Sequence, residues 1–223
     1  MTDVSPRPVS GSRLARPLPT LYPIIDADLC AMRGLDPLAV ARACLDGGAR
    51  LLQVRRKGSA GGTGALLMLS SAIVEAARAY DAMVIVNDRA DVAMMASADG
   101  VHVGQQDLPA AVVRTLIGPE RMVGVSTHTP EQVDEALAGP ADYVAVGPVF
   151  RTNTKDTGYT ARGLDLVKQA SGRGKPVVAI GGITLATAPE ILAAGAASVA
   201  VISDLLEGGQ VASRVRAYLG AHG

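Results

Sequence analysis

Short apolar runs rich in β-branched residues recur along this chain, and each gives way to a polar or glycine-bearing turn and then to an Ala- and Leu-rich stretch. Eight such runs stand between Leu21 and Ser203: LYPIID (21–26), RLLQVR (50–55), MVIVN (83–87), GVHVG (100–104), MVGVS (122–126), YVAVG (143–147), PVVAIG (176–181) and SVAVIS (198–203). Helical spacing falls at 37–46, 65–80, 130–137, 164–171, 186–194 and 211–219. The runs are apolar almost without interruption, so both faces of each strand are expected to be buried, as parallel strands covered by helices require. Eight strand–helix units in about 200 residues predict an α/β fold, a (β/α)8 TIM barrel, over an open doubly wound sheet. The barrel is expected over 19–223 as one domain, with 1–18, rich in Pro, Ser and Arg, as a mobile N-terminal tail.

Composition narrows the functional classes. The 223 residues carry 21 basic and 21 acidic side chains, so no overall field favours nucleic acid or a membrane surface as partner. No run approaches the ~18 apolar residues of a membrane span, and the N-terminus lacks the apolar stretch of a signal peptide, which points to a cytoplasmic protein. Cys30 and Cys44 have neither metal nor redox spacing and stand among apolar neighbours, as buried free thiols do.

Barrels of this kind collect chemistry at the C-terminal ends of their strands. The segment from Asn87 to Asp107 places Asp88 after the third run and Asp107 after the fourth, with about ten residues for a two-turn helix between them. Two carboxylates on neighbouring strand ends suit Mg²⁺, which keeps much of its octahedral shell for water and phosphate oxygens. The plainer alternative is that Asp88 caps the helix after it and Asp107 the one beginning near Leu108. Gln53, Arg55 and Lys57 alternate along the second strand and share one face, where they call for an anion, or, for one of them, an acid on a neighbouring strand. Gly181, Gly182 and the stretch from Gly195 to Ile202 and Ser203 suit a phosphate cradle of backbone N–H groups. The loop GPVFRTNTKDTGYTARG carries Thr152, Thr154 and Lys155 and is either a lid or a solvated surface loop. Ser126 ends the fifth run. No Ser-His-Asp or Cys-His set is present among His102, His128 and His222; His102, inside a strand, is expected to be packed or hydrogen-bonded.

These motifs resemble the thiamine-phosphate synthase (thiamine-phosphate pyrophosphorylase) family. QVRRK is similar to its Q-x-R-x-K, VNDRADVAMMASADGVHVGQQDLP to its N-D…G-V-H-x-G-Q-x-D segment, and VGVSTHT, DYVAVGPVFRTNTK, VVAIGGI and VAVIS follow in order, from about Leu21 to Ser203. The resemblance implies a transferase that joins 4-amino-2-methyl-5-(diphosphooxymethyl)pyrimidine to 4-methyl-5-(2-phosphoethyl)thiazole, breaking the C–O bond to pyrophosphate before the thiazole nitrogen captures the methylene cation. It implies that Gln53, Arg55, Lys57, Asn87, Ser126 and Lys155 hold the pyrimidine diphosphate, and that Asp88 and Asp107 carry Mg²⁺. It further implies that Thr152, Thr154, Gly182, Ile202 and Ser203 hold the thiazole phosphate, with Lys155, Ser126 and Arg55 assisting departure of the leaving group. Departures from the pattern are Arg56, the glycine-rich 58–64 and Arg151. The partners implied are phosphorylated small molecules, and the sequence is compatible with a homo-oligomer. Two rival readings are a related barrel that isomerises the thiazole through a general base, and a non-catalytic protein that binds a phosphorylated ligand.

Overall fold

A computed structural model describes residues 17–58, 62–151 and 160–220. Eight parallel strands, β1 (Leu21–Asp26), β2 (Leu51–Arg55), β3 (Met83–Asn87), β4 (Gly100–Val103), β5 (Met122–Thr127), β6 (Tyr143–Val146), β7 (Val177–Ile180) and β8 (Ser198–Val201), pair in sequence order. The ring closes where Leu21, Tyr22 and Pro23 of β1 register with Val199, Ala200 and Val201 of β8.

Strand parity divides the core in two. Tyr22, Ile24, Leu51, Met83, Ile85, Met122, Tyr143, Ala145, Val178 and Ala200 fill the interior of the barrel. Their alternate neighbours, among them Leu21, Ile25, Leu52, Val54, Val84, Val86 and Val101, point outward beneath the helices. Burial on both faces explains why the strands read as unbroken apolar runs rather than as alternating ones.

Nine α-helices are described: α1 (Ala27–Met32), α2 (Pro37–Asp46), α3 (Gly62–Arg78), α4 (Ala90–Met95), α5 (Ala110–Ile117), α6 (Pro130–Ala138), α7 (Asp165–Ala170), α8 (Ala188–Ala193) and α9 (Val211–Gly220). Clear caps start three of them: Asp26 Oδ1 accepts from Leu29 N, the Asp36 carboxylate from Leu38 N and Ala39 N, and Thr129 Oγ1 from Gln132 N. Helix α1 and a 3₁₀ segment at Ser203–Gly209, kinked at Glu207 and Gly208, lie outside the helices expected from the sequence, while α5 follows the start expected near Leu108. Helix α1 begins directly on Asp26, the last residue of β1, so no separate polar or glycine turn announces it.

The expected tail falls outside the described residues as far as position 16, and Leu18 is already buried against the inner cluster. Cys30 and Cys44 are buried and unpaired, and burial pushes their thiols up to about 11 and about 12. No helix among the described residues is long and apolar enough to cross a membrane.

Candidate active site

The acids at the ends of β1 and β3, and in the turn after β4, meet the cations of β2 at one mouth of the barrel. Asp26, which caps α1 with one oxygen, takes Arg55 Nη1 on the other, and both side chains are nearly shielded from solvent, at 4% and 12% exposure. Lys57, just past the end of β2, is bonded through Nζ to Asp88 Oδ2 and lies 4.0 Å from Asp107 Oδ1. Gln53 is buried and donates to the Tyr22 hydroxyl at 3.1 Å. Sequence allowed an acid partner to one of these residues; the structure provides one to each of the two cations. The reason is that β1 also ends in an acid, level with Arg55 in the register.

Asp88 does not cap the helix that follows it. The N-cap of α4 is Arg89, without a side-chain cap bond, and that of α5 is Pro109. Asp88 instead has φ of 61°, a left-handed turn that Asp tolerates better than most residues, and its N–H donates to the His102 carbonyl at 2.7 Å. This turn aims the carboxylate at Lys57 and Asp107. Burial raises the Asp88 carboxyl above the ordinary carboxylate range, the neighbouring Asp107 adds to the rise, and Lys57 opposes it. Asp107 Oδ2 also accepts from Gly104 N at 2.8 Å, closing the turn after β4. Two adjacent carboxylates with an ammonium already between them form a donor set that fits a hard divalent cation. Among the described residues no group of three or more metal-ligating side chains is present, so such an ion would take its remaining ligands from water and substrate.

Beside this charged cluster opens a cavity of about 540 Å³. Ser126, His128, Gly182, Ile202 and Ser203 line it, together with Arg33, Arg151 and Glu207. Gly182 has φ of 65°, and a Cβ there would press on Phe150 Cβ at 2.9 Å, so only glycine lets the backbone pass between β7 and the start of the sixth loop. Gly195 does not belong to the cradle. It precedes β8, at the opposite end of the barrel, where its backbone packs on Ser171 after α7. Thr152, Thr154 and Lys155 lie outside the described residues, as does His222. Asn87 is buried at the end of β3, and its Nδ2 has no hydrogen-bond partner, a donor unmet inside the barrel.

A family described as thiamine monophosphate synthase has a model that matches residues 21–205. The chain belongs to that family. A thiamine-phosphate synthase from Anaeromyxobacter dehalogenans is 45% identical over 204 residues, spanning 91% of this chain and 87% of its own length. One from Chlorobium phaeovibrioides is 46% identical over 170 residues, 76% of this chain and 80% of its own. Among solved structures, a thiamine phosphate pyrophosphorylase from Pyrococcus furiosus superposes with a TM-score of 0.80 at 30% identity, covering 91% of this chain and 95% of that one.

Sequence reasoning missed several residues of this thiamine monophosphate synthase fold's mouth. Asp26 ends a strand run, the same signal that exposed Asp88. Asp28 carried no such signal: its Oδ2 accepts from Lys57 N at 2.7 Å and Gly58 N at 2.9 Å, a contact between the turn after β2 and α1 that exists only once β1 and β2 pair. Burial alone would raise the Asp28 carboxyl, but the Gly58 and Lys57 N–H groups, with Arg56 and Arg55 nearby, bring it below the ordinary value. His102, expected to be packed or hydrogen-bonded, is both: it stacks on Tyr143 at 5.6 Å between centroids and bonds to Tyr143 and Ser126.

Proposed function

We propose that this chain condenses 4-amino-2-methyl-5-(diphosphooxymethyl)pyrimidine with 4-methyl-5-(2-phosphoethyl)thiazole to give thiamine phosphate and pyrophosphate. It is a transferase of thiamine biosynthesis, and its relatives are named for that reaction. The observation that carries the reading is the Asp88 and Asp107 pair with Lys57 between them, beside Arg55 and next to a cavity wide enough for a second substrate.

Lys57 would exchange Asp88 and Asp107 for phosphate oxygens as the two acids take the metal, and Arg55, keeping Asp26 on Nη1, would offer its remaining N–H groups to the diphosphate, so that no buried charge is left unpaired. Asp88 and Asp107 would hold Mg²⁺. When bound, the ion neutralises charge gathering on the departing pyrophosphate. The unmet Asn87 amide and Gln53 would fix the pyrimidine half. Lys155, Thr152 and Thr154 belong to the same reading by family likeness, the lysine on the diphosphate and the threonines on the thiazole phosphate. Backbone groups of Gly182, Ile202 and Ser203 would receive the thiazole phosphate in the cavity they line.

In the reaction the C–O bond to pyrophosphate breaks with its electron pair leaving on oxygen, and the thiazole nitrogen lone pair then forms the C–N bond. No protein nucleophile is required. The work of the site is electrostatic: cations and N–H donors held in advance where negative charge develops.

A second reading has one observation in its favour. His128 lines the cavity, and its Nδ1 sits 2.5 Å from the Gly147 carbonyl, so Nδ1 carries the proton and Nε2 is the basic nitrogen. A barrel that isomerises the thiazole by proton transfer would use such a base, but would have no use for the acid pair or for Gln53, Arg55 and Lys57. Mixing both phosphorylated halves with Mg²⁺, against a metal-free control, should yield thiamine phosphate only with the metal. Isomerisation of the thiazole half in the absence of the pyrimidine, with no condensation product, would establish the second reading instead.

A further inference from the structure

A line of polar side chains crosses the barrel interior just beneath the mouth. Gln53 Nε2 donates to the Tyr22 hydroxyl at 3.1 Å, and the Tyr22 and Tyr143 hydroxyls are 3.0 Å apart. The Tyr143 hydroxyl is 3.0 Å from His102 Nδ1, and His102 Nε2 is 2.8 Å from Ser126 Oγ. Gln53, Tyr22, Tyr143 and His102 are all buried, whereas Ser126 is partly exposed and lines the cavity. Room for the line is left by Gly124, where a Cβ would overlap the Tyr143 phenol and stand 2.6 Å from His102 Nδ1. Tyr22 meets Tyr143 edge-on at 6.1 Å, so the rings are held as well as the hydroxyls.

The end of the line sets its direction. An amide nitrogen donates and does not accept. With Gln53 Nε2 facing Tyr22, the arrangement that uses every hydroxyl proton within the line sends the Tyr22 proton to Tyr143 and the Tyr143 proton to His102 Nδ1. An accepting Nδ1 leaves the ring proton on Nε2, which donates to Ser126 Oγ. The Ser126 hydroxyl, now an acceptor on the inner side, keeps its own proton for an acceptor at the mouth. Burial raises both phenols well above their ordinary value, so neither leaves the line by ionising. His102 also ties the two halves of the site together, since its carbonyl receives the Asp88 N–H.

We propose that Tyr22, Tyr143 and His102 are positioning residues whose hydrogen-bond line, directed from the Gln53 amide, makes Ser126 a donor to an anionic oxygen held at the mouth. This rests on the condensation reading, in which that oxygen belongs to the diphosphate. An amino group of the pyrimidine donating to Gln53 Oε1 would hold the amide in the required orientation, so recognition of that half would also set the Ser126 proton. The consequence is a donor already turned toward charge as it develops, with no reorientation left for the moment of reaction.

The direct test is ¹⁵N NMR of the unaltered enzyme labelled at its three histidines, with the His102 signals assigned by their loss in His102→Asn. The expected result is a neutral His102 with its proton on Nε2 and Nδ1 as acceptor. An Nδ1–H tautomer or a doubly protonated ring overturns the proposal, whatever the activity. The kinetic test is Tyr143→Phe, which keeps the ring and removes one link. Its kcat should fall about tenfold, the size of one hydrogen bond, with KM for both substrates unchanged. Combined with Ser126→Ala, it should be no slower than Ser126→Ala alone. Additive losses, or wild-type turnover in Ser126→Ala, overturn it, while thiamine phosphate formation by the unaltered enzyme tests the condensation itself separately. Should Tyr143→Phe fail to fold, the tautomer decides.

Discussion

At Gly124 a hydrogen atom is all that fits. The residue faces the barrel interior on β5, between the Tyr143 ring and the His102 imidazole, and its φ is unremarkable; space rather than backbone freedom requires glycine. Gly124→Ala should cost about 1–3 kcal/mol through overpacking, a fall of several degrees in Tm, and a larger relative loss of turnover than of stability because the Ser126 support is displaced. Thermal melts and steady-state rates on the same preparation check this, and an unchanged Tm would remove the packing argument. Asp88 and Asp107 make a different residue-scale case. Asp88→Ala or Asp107→Ala should lower Mg²⁺-dependent turnover about 100-fold or more while the fold persists, since both acids sit partly exposed at the rim. Asp88 also has a pH signature: a carboxyl raised by burial and by Asp107 takes up a proton sooner as pH falls, and a protonated acid is a poor Mg²⁺ ligand. Activity should therefore decline on the acid side above the ordinary carboxylate range, and excess Mg²⁺ should move that decline to lower pH. A profile indifferent to metal concentration would count against the assignment.

Among the elements, the turn that carries Lys57 past the end of β2 depends on α1. Asp28 accepts from two successive N–H groups there, so the short helix after β1 acts as a clamp on the strand beside it. Asp28→Ala should speed hydrogen exchange at the Lys57 and Gly58 amides and raise KM for the diphosphate substrate about tenfold, with kcat changed less. Its carboxyl is depressed in the folded state, so its contribution to stability is present above the unfolded value near 4 and is lost as pH falls through the lower folded value. The clamp is then complete at neutral pH, and the exchange contrast between the native protein and Asp28→Ala should vanish only in acid. Exchange rates alike in both proteins at neutral pH would mean the clamp does not hold. The start signals explain why α1 escaped sequence analysis while α2 was placed at its observed bounds: α2 has Asp36 as a separate cap, Pro37 at its first position and ten residues of pattern, whereas α1 has six and takes the last residue of β1 as its cap.

For the whole molecule, stability and function share the closure between β1 and β8. Helix α9 lies against β1 and α2, and Tyr218, fully buried, donates to Asp204 Oδ2 at 2.5 Å while Arg214 grips the same carboxylate. Asp204 stands in the 3₁₀ segment that lines the cavity, so the last helix braces the floor of the candidate thiazole-phosphate site. Tyr218→Phe should cost about 1 kcal/mol, a Tm lower by about 2–4 °C, with KM for the thiazole phosphate rising more than KM for the diphosphate. Equal shifts in the two constants would show that the brace is general rather than local.

The count of strands, their burial on both faces, and the charged residues at their ends were all legible in the chain, because they follow from local alternation and from a fold whose strands end on one working face. Arg55, Asp88, Asp107 and Ser126 could be singled out for the same reason. What the chain alone did not determine is who meets whom across the ring. Asp26 with Arg55, Asp28 with the Lys57 turn, and each link of the line from Gln53 to Ser126 join residues 24 or more positions apart in sequence. Such pairings depend on register, stagger and closure, which no local pattern encodes. Periodicity states which face a side chain takes; only the closed barrel supplies the neighbour it finds there.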